Sequence, residues 1–86
     1  MRDPTIQAAV LVRLRRLSLG LAGDSRSVGS GLHELRIHLG PGYRIYYAWD
    51  GPDRVLLLGG GSKATQAVDI ATASAHLVAH RKESRR

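Results

Sequence analysis

The chain has 86 residues with no cysteine and no phenylalanine, and its 13 Lys and Arg against seven Asp and Glu give a net charge of +6 at pH 7. This size predicts one domain with a modest core, and the lack of cysteine excludes a disulfide framework and a thiolate metal site. The positive charge favours a polyanionic partner, such as nucleic acid, an anionic membrane surface or an acidic protein. The apolar runs are too short to cross a bilayer and no export signal opens the chain, so we expect a cytoplasmic protein.

The first predicted element is a helix that begins at Asp3-Pro4 and ends near Gly20. Asp is a common helix N-cap, and proline is favoured at the first helical position. Between these ends the apolar residues keep helical spacing, at Ile6, Val10, Leu14 and Leu17. The arginines fall largely off that stripe, which suits either a track for phosphates or a merely solvated face: Arg13, Arg15 and Arg16. Residues 23–31 then predict a polar loop.

Residues 32–47, LHELRIHLGPGYRIYY, predict two antiparallel strands around a Gly-Pro-Gly turn. Apolar and polar side chains alternate strictly on both sides of the turn, as in strands with one buried face. A turn of three residues places His38 opposite Arg44, and Arg36 opposite Tyr46. This register collects two arginines, a histidine and a tyrosine on one face, which is either a functional surface or an ordinary solvated sheet face.

The apolar run RVLLLGG at residues 54–60 predicts a central strand that is covered on both faces. Gly61-Ser62-Lys63 leads into a second helix, with Ser62 or Thr65 as its cap, and residues 81–86 form a charged tail. The predicted fold is therefore α+β, with an N-terminal helix, a three-stranded antiparallel sheet and a C-terminal helix in one domain over residues 1–80.

Two short motifs are weak guides to chemistry. Residues 59–63, GGGSK, lack the four-residue spacing of a Walker loop, so they predict at most a bare phosphate site at a helix start. His76 and His80 are four residues apart, as metal ligands on one helix can be, but no third ligand accompanies them. We therefore expect no metal and no cofactor.

Four pieces of residues 28–73 occur in a fixed order: the strand GLHELRI, the segment GPGYRIYY, an apolar strand ending in Gly-Gly, and Lys-x-Thr-Gln before a helix that contains DI. The upstream segment LRRLSLGLAGDSRSVG adds a matching helix and loop. Together they make most of residues 11–73 resemble the HigB-like killer proteins of addiction modules, a branch of the RelE/ParE superfamily of type II toxins.

The chain departs from these relatives in three places. The family usually opens with an extra strand and helix, and this chain begins without them. Ser62 stands where an acidic residue usually precedes the lysine. Relatives often place a tyrosine in the last helix or tail for leaving-group chemistry, and here Asp69 lies near that place.

The resemblance implies a ribosome-dependent, metal-free mRNA endonuclease that inhibits translation and is neutralised by a HigA-like helix-turn-helix antitoxin. Such cleavage needs a base for the 2′-OH, cations for the phosphorane and a proton for the 5′-oxygen. On the predicted face His38 is the candidate base, because arginine stays protonated whereas histidine titrates near neutrality. The remaining site predictions are Arg36, Arg44 and Lys63 on the scissile phosphate, Tyr46, Tyr43, Arg13 and Arg16 as RNA contacts, and Asp69 as an acid–base or positioning residue.

Two alternatives share the same resemblance. ParE relatives poison DNA gyrase without a nuclease site, so the chain could be a non-catalytic toxin. A truncated toxin that only binds its antitoxin would also fit the short N-terminus.

Overall fold

The computed structural model describes residues 3–84, which form two helices and one four-stranded antiparallel sheet. The elements in chain order are α1 (Pro4–Ser18), β1 (Ser25–Gly29), β2 (Leu32–Ile37), β3 (Tyr43–Trp49), β4 (Val55–Ser62), a 3₁₀ turn (Lys63–Thr65) and α2 (Gln66–Ser84). The strands lie in the order β1-β2-β3-β4. The predicted α+β class with a helix at each end is confirmed.

Helix α1 begins and ends where the sequence predicts. The Asp3 side chain accepts a hydrogen bond from the Thr5 backbone N–H at 2.8 Å. Gly20 follows the last turn with φ +83°, and the N–H groups of Gly20 and Leu21 donate to carbonyls of that turn. A glycine in this conformation lets the chain turn back and satisfy the last carbonyls of the helix.

The prediction of a loop at residues 23–31, and hence of only three strands, is wrong. Residues Ser25–Gly29 form β1, which pairs antiparallel with β2 through a tight turn at Ser30 and Gly31. Both turn residues have positive φ, as two-residue hairpins require. Because β1 lies at the edge of the sheet, its side chains stay mostly polar and exposed, so it lacks the apolar alternation by which strands are recognised.

The apolar run at residues 54–60 also differs from its prediction, since β4 is an edge strand of the described sheet and not a central one. Leu58 is buried against α2, whereas Leu57 on the other face is 53% exposed. On that face an open groove of about 540 Å³ lies beside α1, lined in part by Val10, Leu14 and Leu57. The prediction from this apolar run, that both faces of the strand are covered, is therefore wrong for the face that carries Leu57.

The helices pack on opposite faces of the sheet. Odd-numbered residues of β2 and β3 face α1, in a cluster of Ile6, Val10, Leu17, Leu35, Ile37, Ile45 and Tyr47. Even-numbered residues face α2, in a cluster of Leu32, Tyr46, Ala48, Leu58, Ala73 and Leu77. The face predicted to be polar is thus covered by α2 at one end, and its polar residues lie toward the β2–β3 loop.

Helix α2 continues to Ser84, so residues 81–84 of the predicted charged tail belong to it. Residues 85 and 86 of that tail lie outside the described residues. Within residues 3–84, neither helix is both long and apolar enough to span a bilayer.

Candidate functional site

The β2–β3 hairpin is paired two residues away from the predicted register. Arg36 lies opposite Arg44, and the connection is the five-residue loop His38–Gly42. The predicted pairs of His38 with Arg44 and of Arg36 with Tyr46 are therefore wrong. A shift of two residues keeps every side chain on its face, so the alternation that excludes a one-residue slip cannot detect it.

The Gly-Pro-Gly segment forms a turn inside this longer loop. The N–H of Gly42 donates to the carbonyl of Leu39 at 3.0 Å, and Gly40 and Gly42 both have positive φ. The carbonyl of Gly42 in turn accepts a hydrogen bond from the N–H of Lys63 at 3.2 Å. This bond fixes the start of the 3₁₀ turn against the hairpin loop.

A cleft of about 200 Å³ opens at this junction, and we call it the basic cleft. Its walls include all four residues predicted to carry the chemistry: Arg36, His38, Arg44 and Lys63. Tyr43 also lines it and is half-buried. Three permanent cations and one histidine ring therefore surround one small cavity.

Asp24, immediately before β1, joins two of these groups. Its Oδ1 accepts a hydrogen bond from Arg36 Nε at 3.1 Å and forms an ion pair with Arg36 Nη2 at 2.9 Å, and its Oδ2 is hydrogen-bonded to Nε2 of His38. The hydrogen bond with His38 and the charge of Arg36 lower the pKa of Asp24, against the opposing effect of desolvation. The sequence pattern does not point to Asp24, because residues 23–31 predict only a polar loop.

Arg44 lies beside a buried carboxylate, Glu34, which no motif in the sequence indicates as functional. Glu34 is fully buried and accepts hydrogen bonds from Arg26 Nε at 3.1 Å, Gln66 Nε2 at 2.8 Å and the Tyr46 hydroxyl at 3.3 Å. Arg44 Nε is 3.5 Å from Glu34 Oε1 and is buried without a hydrogen-bond partner among residues 3–84. Only 12% of the Arg44 side chain is exposed.

The surroundings of Glu34 keep it ionised. Burial alone raises the pKa of its carboxyl. The hydrogen bonds from Gln66 and Arg26 and the charges of Arg26 and Arg44 outweigh burial, so the pKa of Glu34 is lowered overall. A carboxylate thus lies next to Arg44, one of the cations that line the basic cleft.

Tyr46 does not have the position that an RNA-stacking residue needs. It is fully buried under α2 and its hydroxyl donates to Glu34. Burial, together with the nearby charge of Glu34, raises the pKa of Tyr46 to about 12. The aromatic ring at the basic cleft is that of Tyr43.

The two α1 arginines predicted to contact RNA lie away from the basic cleft. Arg13 Nη1 donates to the carbonyl of Arg36 at 2.7 Å, and its Nη2 donates to the carbonyls of Ala22 and Asp24 at 3.4 Å. Arg13 thus fastens α1 to the ends of the first two strands. Arg16 is exposed on α1. This helix packs on the face of the sheet opposite to the face that carries Arg44.

Asp69 lies in the first turn of α2 and accepts a hydrogen bond from the Thr65 hydroxyl. It also lies against β4, where a side chain at Gly61 would overlap the Asp69 carboxylate. Gly61 is the partner of Arg44 across the sheet. Asp69 is therefore near the Arg44 strand pair without lining the basic cleft. Within the described part of the chain, no group of three His, Cys, Asp or Glu could hold a metal ion.

The comparisons with known proteins agree with the toxin resemblance at a coarse level. A Haemophilus influenzae protein described as uncharacterized is 45% identical over 70 residues, which cover 81% of this chain and 71% of the relative. No solved structure matches the chain significantly. The family model described as phage derived protein Gp49-like (DUF891) matches residues 2–79. The chain therefore belongs to the Gp49-like family, which is part of the RelE/ParE-like toxin superfamily.

Proposed function

We propose that the chain is the toxin of a type II toxin–antitoxin system and that it cleaves mRNA on the ribosome without a metal ion. The observation that carries this proposal is the gathering of Arg36, His38, Arg44 and Lys63 around the basic cleft, in a member of a toxin superfamily. A gyrase poison needs no base beside three cations, so the composition of the cleft favours the nuclease over the ParE-like alternative.

The four residues divide the chemistry of RNA cleavage between them. His38 is 72% exposed and takes the proton of the 2′-OH. Arg44 and Lys63 offset the charge that develops on the phosphorane, because cations aimed at that charge stabilise the transition state more than the ground state. The 5′-oxygen takes its proton from Lys63 or from protonated His38.

Arg36 has a mixed role in this proposal, since its charge is already partly balanced by Asp24 at 2.9 Å. The same ion pair holds its guanidinium in place at the wall of the cleft. Tyr43, half-buried at the cleft wall, is the ring on which a base next to the scissile phosphate would stack.

The proposed partners follow from the same charge. The toxin acts in the cytoplasm on ribosome-bound mRNA, and a HigA-like helix-turn-helix antitoxin inhibits it by laying an acidic segment over the basic face. A chain with a net charge of +6 suits both polyanions.

We expect Lys63→Ala to lower the rate of mRNA cleavage on programmed ribosomes by about 10²-fold, the effect of removing one preorganised charge donor. The Lys63 side chain is exposed and makes no hydrogen bond or ion pair within residues 3–84, so the fold should not change. Lys82→Ala is the matched control, because Lys82 is also exposed but lies in the last turn of α2. Equal cleavage by both variants would reject the assignment of this cleft as the nuclease site.

A further inference from the structure

We infer that Asp24 is a positioning residue of the basic cleft, whose carboxylate holds Nε2–H of His38 and thereby presents Nδ1 of that ring as the atom that takes the 2′-OH proton. The inference rests on the proposed function and deepens it. Its basis is the way in which Asp24 divides its two oxygens between neighbouring groups of the cleft.

The main chain at Asp24 is held in place from two sides. Its carbonyl accepts a hydrogen bond from the N–H of Arg36 at 2.9 Å and another from Arg13 Nη2 at 3.4 Å. Gly23 before it has φ +64°, and a Cβ there would come within 3.0 Å of the Arg13 guanidinium. The carboxylate therefore starts from a fixed backbone.

The carboxylate fixes the orientation of His38. Oδ1 is occupied by Arg36, and Oδ2 meets His38 Nε2. An ionised carboxylate can only accept, so Nε2 must donate, and a neutral ring that carries its hydrogen on Nε2 has its lone pair on Nδ1. The ring lies in the exposed loop His38–Gly42 and has no other hydrogen-bond partner among the described residues, so Asp24 alone sets its tautomer and direction.

His38 and Lys63 account for every proton that is transferred in the reaction. Nδ1 takes the proton as the 2′-oxygen attacks phosphorus, and the imidazolium that forms is stabilised by the adjacent carboxylate. The bond from phosphorus to the 5′-oxygen then breaks, and that oxygen receives a proton from His38 or Lys63. The products are a 2′,3′-cyclic phosphate and a 5′-hydroxyl, with no further reactant consumed.

The negative charge of Asp24 predicts that RNA binding and RNA cleavage respond differently when Asp24 is replaced. Because Asp24 repels the RNA phosphates, removing its charge should strengthen RNA binding or leave it unchanged while cleavage slows. A purely structural role would instead weaken binding and cleavage together. The two readouts therefore separate positioning from folding.

We expect Asp24→Asn to lower the single-turnover rate of mRNA cleavage on programmed ribosomes by about 10²–10⁴-fold, because an amide no longer enforces one tautomer. Its affinity for a fluorescein-labelled single-stranded RNA oligonucleotide, measured at fixed salt, should be equal to or higher than that of the parent. Asp53→Asn is the control, since Asp53 is exposed in the β3–β4 turn, at the end of β3 away from the loop His38–Gly42. Parental cleavage by Asp24→Asn, or loss of both binding and cleavage, would overturn the inference.

A second measurement does not depend on nuclease activity. At alkaline pH, where imidazole is neutral, ¹H–¹⁵N correlation spectra should show His38 with its hydrogen on Nε2 in the parent and as a mixture of tautomers in Asp24→Asn. Finding the hydrogen on Nδ1 in the parent would overturn the inference whatever the cleavage rates. A parent that keeps the Nε2–H form but cleaves no mRNA would reject the proposed function instead.

Discussion

His38→Gln should lower the rate of mRNA cleavage by about 10²–10⁴-fold, the loss expected when a general base is removed. Glutamine keeps an N–H that can donate to Asp24, as His38 Nε2 does, so the geometry around Arg36 should persist while basicity is lost. The measurement is the single-turnover rate on programmed ribosomes, with ribosome binding followed in parallel. Binding should change little.

His33→Gln is the matched control for this substitution. His33 lies on β2 but stacks on Tyr47, with ring centroids 5.2 Å apart, on the face that packs toward α1. It should cleave at the parental rate. If His38→Gln also did so, catalysis would have to come from the cations alone and the base would have no role.

Glu34→Gln should lower the free energy of unfolding by about 3–5 kcal/mol, the range observed when one partner of a buried ion pair is removed. Glutamine can replace some hydrogen bonds to Arg26 and Tyr46, but it leaves the Arg44 guanidinium almost buried without its counter-charge. Urea denaturation measures the effect. Glu83→Gln, at an exposed position of α2, should change stability by less than about 0.5 kcal/mol.

The acid dependence of stability provides the second test of the same residue. The pKa of Glu34 is lowered in the folded chain from its ordinary 4.5, so its contribution is complete above pH 4.5 and is lost as the pH falls through the lowered value. The pKa of Asp24 is likewise lowered in the folded chain, from its ordinary 3.8. Glu34→Gln should therefore lack the part of the acid loss that begins near pH 4.5. An acid profile identical to that of the parent would contradict the assignment.

Glu34 also connects stability with the site. Arg44 lies between this carboxylate and the basic cleft, with its Nε buried and unsatisfied. The arrangement explains why a side chain proposed to bind substrate is only 12% exposed in the free chain.

The ends of helix α1 could be predicted from the sequence, because a single residue type at each end determines the local backbone conformation. The Asp3 cap and the turn at Gly20 depend on groups within a few residues, so they can be read without knowledge of the fold. Alternation likewise identified the faces of β2 and β3. It could not fix their register, because pairings two residues apart have the same pattern.

The contents of the basic cleft were predictable although the pairing was not. Arg36, Arg44 and Lys63 reach it because the register error preserved their face and because GGGSK joins β4 to the next helix. His38 reaches it from the loop and not from the strand. Asp24 was missed since its role depends on β1, a polar edge strand with no apolar pattern.

The burial of Tyr46 and the role of Glu34 could not be predicted for a different reason. Both occupy positions of the polar face, and a carboxylate in an alternating strand normally faces solvent. Here α2 covers that end of the sheet through Ala73 and Leu77, while Gln66 and Arg26 provide the hydrogen bonds that let Glu34 be buried. Such coverage depends on helix packing, which one strand does not encode.

Whether the chain is a nuclease is tested by inducing it in a bacterium and mapping mRNA 5′ ends across the transcriptome, with His38→Gln induced in parallel. We expect new 5′-hydroxyl ends within translated coding regions for the parent, none above background for His38→Gln, and suppression when a cognate antitoxin is co-expressed. Growth arrest with unchanged mRNA ends and an accumulation of gyrase-linked DNA breaks would contradict it.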